Sequence, residues 1–168
     1  MENITETFIS PTYGNVTFKE ILEIMNNYYM KNKDYGNFNI VIGTDSQNFS
    51  DTKVVSVIVM QCEGHGGIYF YKVERVPRIQ DVRQKLNYET QKSLSYADQL
   101  LDSLDAYHYE ELFSNCNLSI HIDAGNSKHG KTKDLIPGLV GWIHACGYEC
   151  SVKPNSYAAC SIADKISK

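Results

Sequence analysis

The sequence predicts an α/β domain in which a mixed five-stranded sheet carries helices on its faces. Three observations predict it. Val54 to Cys62 and Ile68 to Val76 are rich in β-branched and aromatic residues and are joined by a short glycine-rich connection, the pattern of an antiparallel hairpin. Downstream, segments of helical period alternate with short apolar runs, as in chains whose helices cross over a sheet. The 168 residues, 42% hydrophobic and 21% charged, suit one domain whose core needs neither disulfides nor structural metal.

Residues 1–16 are polar with scattered aromatics. Thr17 and Glu20 then make a capping box ahead of Phe18, Ile21, Leu22, Met25 and Tyr28 or Tyr29 at helical spacing, which predicts an amphipathic helix ending near Asn32. Residues 1–35 are expected as an N-terminal extension packed on a domain spanning 36–168. Ile40 to Asp45 is the first strand of that domain, and the hairpin supplies the second and third. Pro77 precedes a long helix from Gln80 to about Ala106, with Val82, Leu86, Ser93, Ala97, Leu100 and Leu104 as its apolar stripe. Leu118 to Asp123 is the fourth strand. Asp134 to Cys146 is a helix with Leu135, Leu139, Trp142 and Ile143 on one side, Tyr148 to Val152 the fifth strand, and Asn155 to Lys165 the last helix.

Composition narrows the function. A net charge of -4 provides no global positive field, so nucleic-acid binding must be local or mediated by metal ions. The longest strongly apolar run, Val54 to Met60, is far short of the roughly 20 residues that span a bilayer, and the amino terminus is polar and acidic. The expectation is a cytoplasmic protein with no membrane partner. Five cysteines without a CxxC pair argue against a disulfide framework or a thiolate zinc site, and Cys146 and Cys150 read as buried structural thiols.

Four acids carry the candidate chemistry. Asp45 and Asp123 each close a short apolar strand and are followed by small residues, which puts two carboxylates at strand ends, where α/β sheets bind ligands. Alternation sets Leu118, Ile120 and Ile122 on one face of the fourth strand and Ser119, His121 and Asp123 on the other. Glu89 falls in the apolar stripe of the long helix, where a carboxylate is costly unless paired, protonated or bound to a metal. Asp164 lies on a last helix whose Ala158, Ala159, Cys160, Ser161 and Ala163 allow close approach to the sheet. Taken singly, Asp45 and Asp123 read more readily as turn formers or helix caps, and Asp164 equally well as a solvated charge near a helix end. For Glu89 the bland reading, at the margin of its stripe and reaching water, is the lesser one. Together they would repel unless divalent cations neutralised them, and oxygen-only ligands favour Mg²⁺ or Mn²⁺.

The segments Ile42-Gly-Thr-Asp-Ser-Gln47, His121-Ile-Asp-Ala-Gly125 and Lys153-Pro-Asn-Ser-Tyr-Ala-Ala159 through Ala163-Asp-Lys165 complete a pattern. From about residue 8 onward the chain resembles the ribonuclease H-like fold, and most closely its YkuK-type proteins of bacteria and their phages. The resemblance implies a strand order of 3-2-1-4-5 with the second strand antiparallel to the others. It also implies that Asp45, Glu89, Asp123 and Asp164 hold two Mg²⁺ or Mn²⁺ ions as catalytic ligands. Such a pair activates a water and stabilises the leaving oxygen in phosphodiester cleavage. Strand one reads Asp-Ser-Gln, where proofreading exonucleases of this fold have Asp-x-Glu, which withdraws support from that activity.

Gly125-Asn-Ser-Lys-His-Gly-Lys-Thr132 also satisfies the phosphate-loop pattern between a strand and a helix. Only 36 residues follow Thr132, with one short strand and no aspartate at its end for a second magnesium contact, so nucleotide hydrolysis is the weaker reading. The loop reads better as a basic connection in which Lys128, Lys131, Thr132 and Lys133, with Lys153, contact nucleic-acid phosphates. The leading expectation is a metal-dependent nuclease acting on RNA, DNA or a hybrid. The alternative is a non-catalytic nucleic-acid-binding or structural protein on the same fold. Oligomeric state stays open at this stage.

Overall fold

A computed structural model describes residues 6–125, 132–153, 155 and 157–167, without the side chains of 157–160 and 164. The hairpin of the sequence reading forms β4 (Thr52–Cys62) and β5 (Gly66–Val76), eleven residues each and paired along their whole length. Gly64 and Gly66, at φ 73° and 96°, take the left-handed conformations of the turn. On the other side of β4 lies β3 (Phe38–Asn48), again with eleven antiparallel pairs. It continues three residues past Asp45, so that acid sits inside a strand and not at its end as expected. The cause is a ladder that stays paired through Asn48 opposite Thr52.

β6 (Cys116–Gly125) joins β3 in parallel, and β7 (Glu149–Lys153) joins β6 in parallel. These five strands are those expected, but the sheet has seven, and its full order differs from the five-membered one. Residues 7–17, expected to be without strands, form β1 (Thr7–Ser10) and β2 (Gly14–Thr17), which extend the sheet beyond β5 to give β2-β1-β5-β4-β3-β6-β7. At four residues each, the two are too short to show period-two alternation. Their turn is held by Ser10, whose hydroxyl oxygen accepts from the backbone N–H of Thr12 and Tyr13.

The helices divide between the two faces. α1 (Phe18–Asn32) begins at Thr17, whose hydroxyl oxygen accepts from the Glu20 N–H at 3.2 Å, and it buries Ile21, Leu22, Met25 and Tyr29. α2 (Val82–Tyr107) is capped by Asp81 and buries Leu86, Glu89, Ser93, Ala97, Leu100 and Leu104, while Val82, in the first turn, is exposed. A short α3 (Glu110–Ser114), absent from the sequence reading, precedes β6. A 3-10 turn (Lys133–Leu135) leads into α4 (Ile136–Ala145), which buries Leu139 and Ile143. Trp142, expected on that buried side, is 37% exposed. Cys146, expected buried, is exposed because α4 ends one residue before it, and Cys150 is half-buried.

α5 (Tyr157–Ser167) covers the opposite face, where Val41, Val55, Val57, Val59 and Ala163 make a small core under it. The larger core lies between the sheet and α1, α2 and α4. Among the described residues no helix is long and apolar enough to cross a membrane.

Candidate active site

The parallel register of β3 and β6 sets Gly43 opposite His121, and two residues further on it brings Asp45 level with Asp123 on one face of the sheet. The Asp123 carboxyl is close enough to act on that of Asp45 through its charge. From above, α5 delivers Ser167, whose hydroxyl donates to Asp45 Oδ2 at 3.2 Å. The end of α5 is tied to the sheet by the Lys53 ammonium, which donates to the Ile166 carbonyl at 2.7 Å. Burial, then the Asp123 charge beside it, pushes the Asp45 carboxyl up to about 6, against the Ser46 backbone N–H and the Ser167 hydroxyl, which favour its charged form.

Glu89 reaches the same region from the other face. Thr44 and Ser46 alternate with Asp45 along β3 and so point toward α2, where the Ser46 hydroxyl donates to Glu89 Oε1 at 2.5 Å. One turn further along α2, the Ser93 hydroxyl bonds that of Thr44 at 2.8 Å. Glu89 is 6% exposed. Burial pushes its carboxyl up to about 8, aided by the charges of Asp45 and Asp123 and opposed by Ser46 and Lys85. A void of about 10 Å³, lined in part by Thr44, Glu89, Thr90, His121 and Asp123, joins the two acids and has room for about one water.

Lys153 was expected to meet a phosphate, and the structure sets its Nζ 2.5 Å from Asp123 Oδ1. The register of β6 against β7 shifts between Ile122 and Gly125, and the bulge pairs Lys153 with Gly125, beside the acid. The Asp123 side chain is 13% exposed and that of Lys153 is 55% exposed, so the ammonium closes the acid pair from the solvent side.

Of the acids expected to converge, Asp45 and Asp123 lie side by side, and their charges raise the Glu89 carboxyl from across β3. Asp164 lies on α5, with its side chain outside the described residues. Lys128, Lys131 and the rest of 126–131 also lie outside them, and with them most of the phosphate-loop match. Thr132 stands at the N-cap of the 3-10 turn without a side-chain cap bond, and Lys133 is exposed. Among the described residues, no hydrogen bond or ion pair joins either to the acids. Sequence reasoning missed Ser46 as the partner of Glu89. Its signal was alternation, because Ser46 shares a strand face with Ile40, Ile42 and Thr44.

The donor chemistry fits a hard divalent cation. Asp45 and Asp123 offer carboxylate oxygens alone, and two neighbouring acids with one driven up in pKa are short of positive charge, which Lys153 supplies in part. Among the described residues, no three His, Cys, Asp or Glu side chains are gathered closely enough to hold one ion.

The protein-family match is Ribonuclease H-like, over residues 20–168, which leaves the β1–β2 hairpin outside it. YkuK of Bacillus subtilis (strain 168), an uncharacterized protein, is 31% identical over 169 residues, 96% of each chain. No solved structure gives a significant match. With the family match covering most of its length and a full-length YkuK relative, this chain belongs to the ribonuclease H-like family.

Proposed function

We propose that this protein is a divalent-metal-dependent phosphodiesterase acting on nucleic acid. The observation that supports this reading is the placement of Asp45 beside Asp123 on neighbouring parallel strands, where burial and the Asp123 charge push the Asp45 carboxyl upward. Asp45 and Asp123, with Glu89 and Asp164 from the two flanking helices, would hold one or two Mg²⁺ or Mn²⁺ ions. When bound, such ions activate a water and stabilise the leaving oxygen of a phosphodiester.

The chain's own residues prepare that arrangement. Ser167 fixes the rotamer of Asp45 and favours its charged form. Ser46 anchors Glu89 against β3 on the side of the strand that faces α2. Lys153 pairs with Asp123, and its exposed stem lets the ammonium swing from the carboxylate to a substrate phosphate.

The test is cleavage of labelled single-stranded, duplex and hybrid substrates with Mn²⁺ or Mg²⁺, beside an Asp45→Asn, Asp123→Asn double variant. Metal-dependent cleavage is expected, and the variant should lose more than about a hundredfold of it. No cleavage of any substrate, with no Mn²⁺ binding by calorimetry, would sink the proposal. One observation favours a second reading, a nucleic-acid-binding protein without turnover: Lys153 already neutralises Asp123. That reading expects binding of nucleic acid to survive in both forms without cleavage.

A further inference from the structure

The groove between α2 and α4 lies outside the acid pair and has a distinct composition. It measures about 280 Å³, and its walls include Arg83, Asn87, Leu135, Gly138, Leu139 and Trp142. Trp142 is the one tryptophan in the chain and stands 37% exposed. Gly138 lies one helical turn before it and Gly141 immediately before it, and a Cβ at either would meet nothing within 4 Å. No side chain at these two positions shades the tryptophan ring, and the apolar floor of Leu135 and Leu139 lies beside it. The opposite wall is polar: Arg83 and Asn87 are exposed and one turn apart on α2. Among the described residues, Arg83 forms no ion pair or hydrogen bond. An unpaired guanidinium thus faces an exposed indole across the groove.

We infer that this groove is a stacking subsite for an unpaired nucleotide of a nucleic-acid strand, with Trp142 under the base and Arg83 on its phosphate. Charge sets the orientation. Asp134 is also on the rim and repels phosphate from the α4 side, which leaves the α2 side for the backbone. Asn87 supplies amide donor and acceptor groups between them. Position ties the groove to the acids, because Asn87 is three residues, about 4.5 Å along the helix, from Thr90. Thr90 lines the void shared by Glu89 and Asp123. The groove and the acids are thus served by neighbouring turns of one helix. The inference rests on the proposed nucleic-acid substrate but not on turnover.

The experiment uses the Asp45→Asn, Asp123→Asn protein in EDTA, where cleavage is not an issue, and follows Trp142 emission as a single-stranded oligonucleotide is added at low ionic strength. Saturable quenching is expected to track the anisotropy of the same oligonucleotide carrying a dye. Trp142→Leu should weaken binding roughly tenfold and Trp142→Phe should restore most of it. Arg83→Ala should lower the slope of log affinity against log salt by about 1. A fully paired duplex should quench far less. Binding without quenching, equal quenching by duplex, or no binding at all would overturn the subsite. The wild type with Mn²⁺ separates the two proposals: quenching without cleavage supports the groove and counts against hydrolysis, whereas cleavage without quenching removes the groove alone.

Discussion

Glu89 is a carboxyl whose protonation and burial are inseparable. In the unfolded chain it titrates near its ordinary 4.5, and in the folded protein near about 8. Between those values the folded state binds a proton that the unfolded state lacks, so stability from this group is full below about 4.5 and is lost as pH rises through 8. Asp45 works in the same direction between 3.8 and about 6. Glu89→Gln keeps an oxygen for the Ser46 hydroxyl and removes the titration. In EDTA, thermal melts should therefore find the variant close to wild type at pH 5 and more stable by a few kcal/mol at pH 9; equal melting at pH 9 would mean that Glu89 is solvated when charged. Lys153→Gln removes the charge that competes with a cation at Asp123, and Mn²⁺ affinity by calorimetry should rise roughly tenfold. An unchanged affinity would place the ammonium outside the field of the site.

At the scale of elements, the β1–β2 hairpin is anchored by Phe8, fully buried, with its ring edge-on to Phe18 and Tyr96 at 5.2 Å each. Lys72, paired with Glu6 and Glu74, adds charge to the same seam. Phe8→Ala should cost about 3–5 kcal/mol in urea unfolding, and because the hairpin lies beyond β5, Mn²⁺ binding to the folded protein should not change. A variant that lost both together would show that the hairpin supports the acids directly. The hairpin is also where sequence reading fell short: α1 and α2 announce themselves by cap and period, whereas a four-residue strand offers two side chains per face and no period to count. The acids divided in the same way. Asp45 and Asp123 were legible from their strands. The burial of Glu89 was legible from its stripe, but its partner was not, since the contact joins residues 43 apart in the chain.

At the scale of the molecule, the sheet has a gradient of protection. β4 is paired on both sides along eleven residues, while β2 and β7 are short edges. Hydrogen exchange should find the β4 amides opening only with global unfolding and the β2 and β7 amides exchanging by local fraying; uniform rates across the sheet would mean that the edges are covered, as by a second copy. The mixed topology was legible from the order of elements, because a hairpin and two crossovers leave few arrangements open. The bulge that carries Lys153 to Asp123 was not, since a shift in register depends on how two strands meet and has no residue of its own.

Asp45 and Ser46 are consecutive in β3 yet serve opposite sides of the sheet, one toward Asp123 and the other toward Glu89. The strand thus behaves like a sentence read in alternate letters, and its meaning depends on phase as much as on spelling. Conservative replacements along Phe38–Thr44 leave the phase intact. Inserting or deleting one residue there would turn the aspartate inward and the serine outward while changing neither, and both halves of the site would be lost at once.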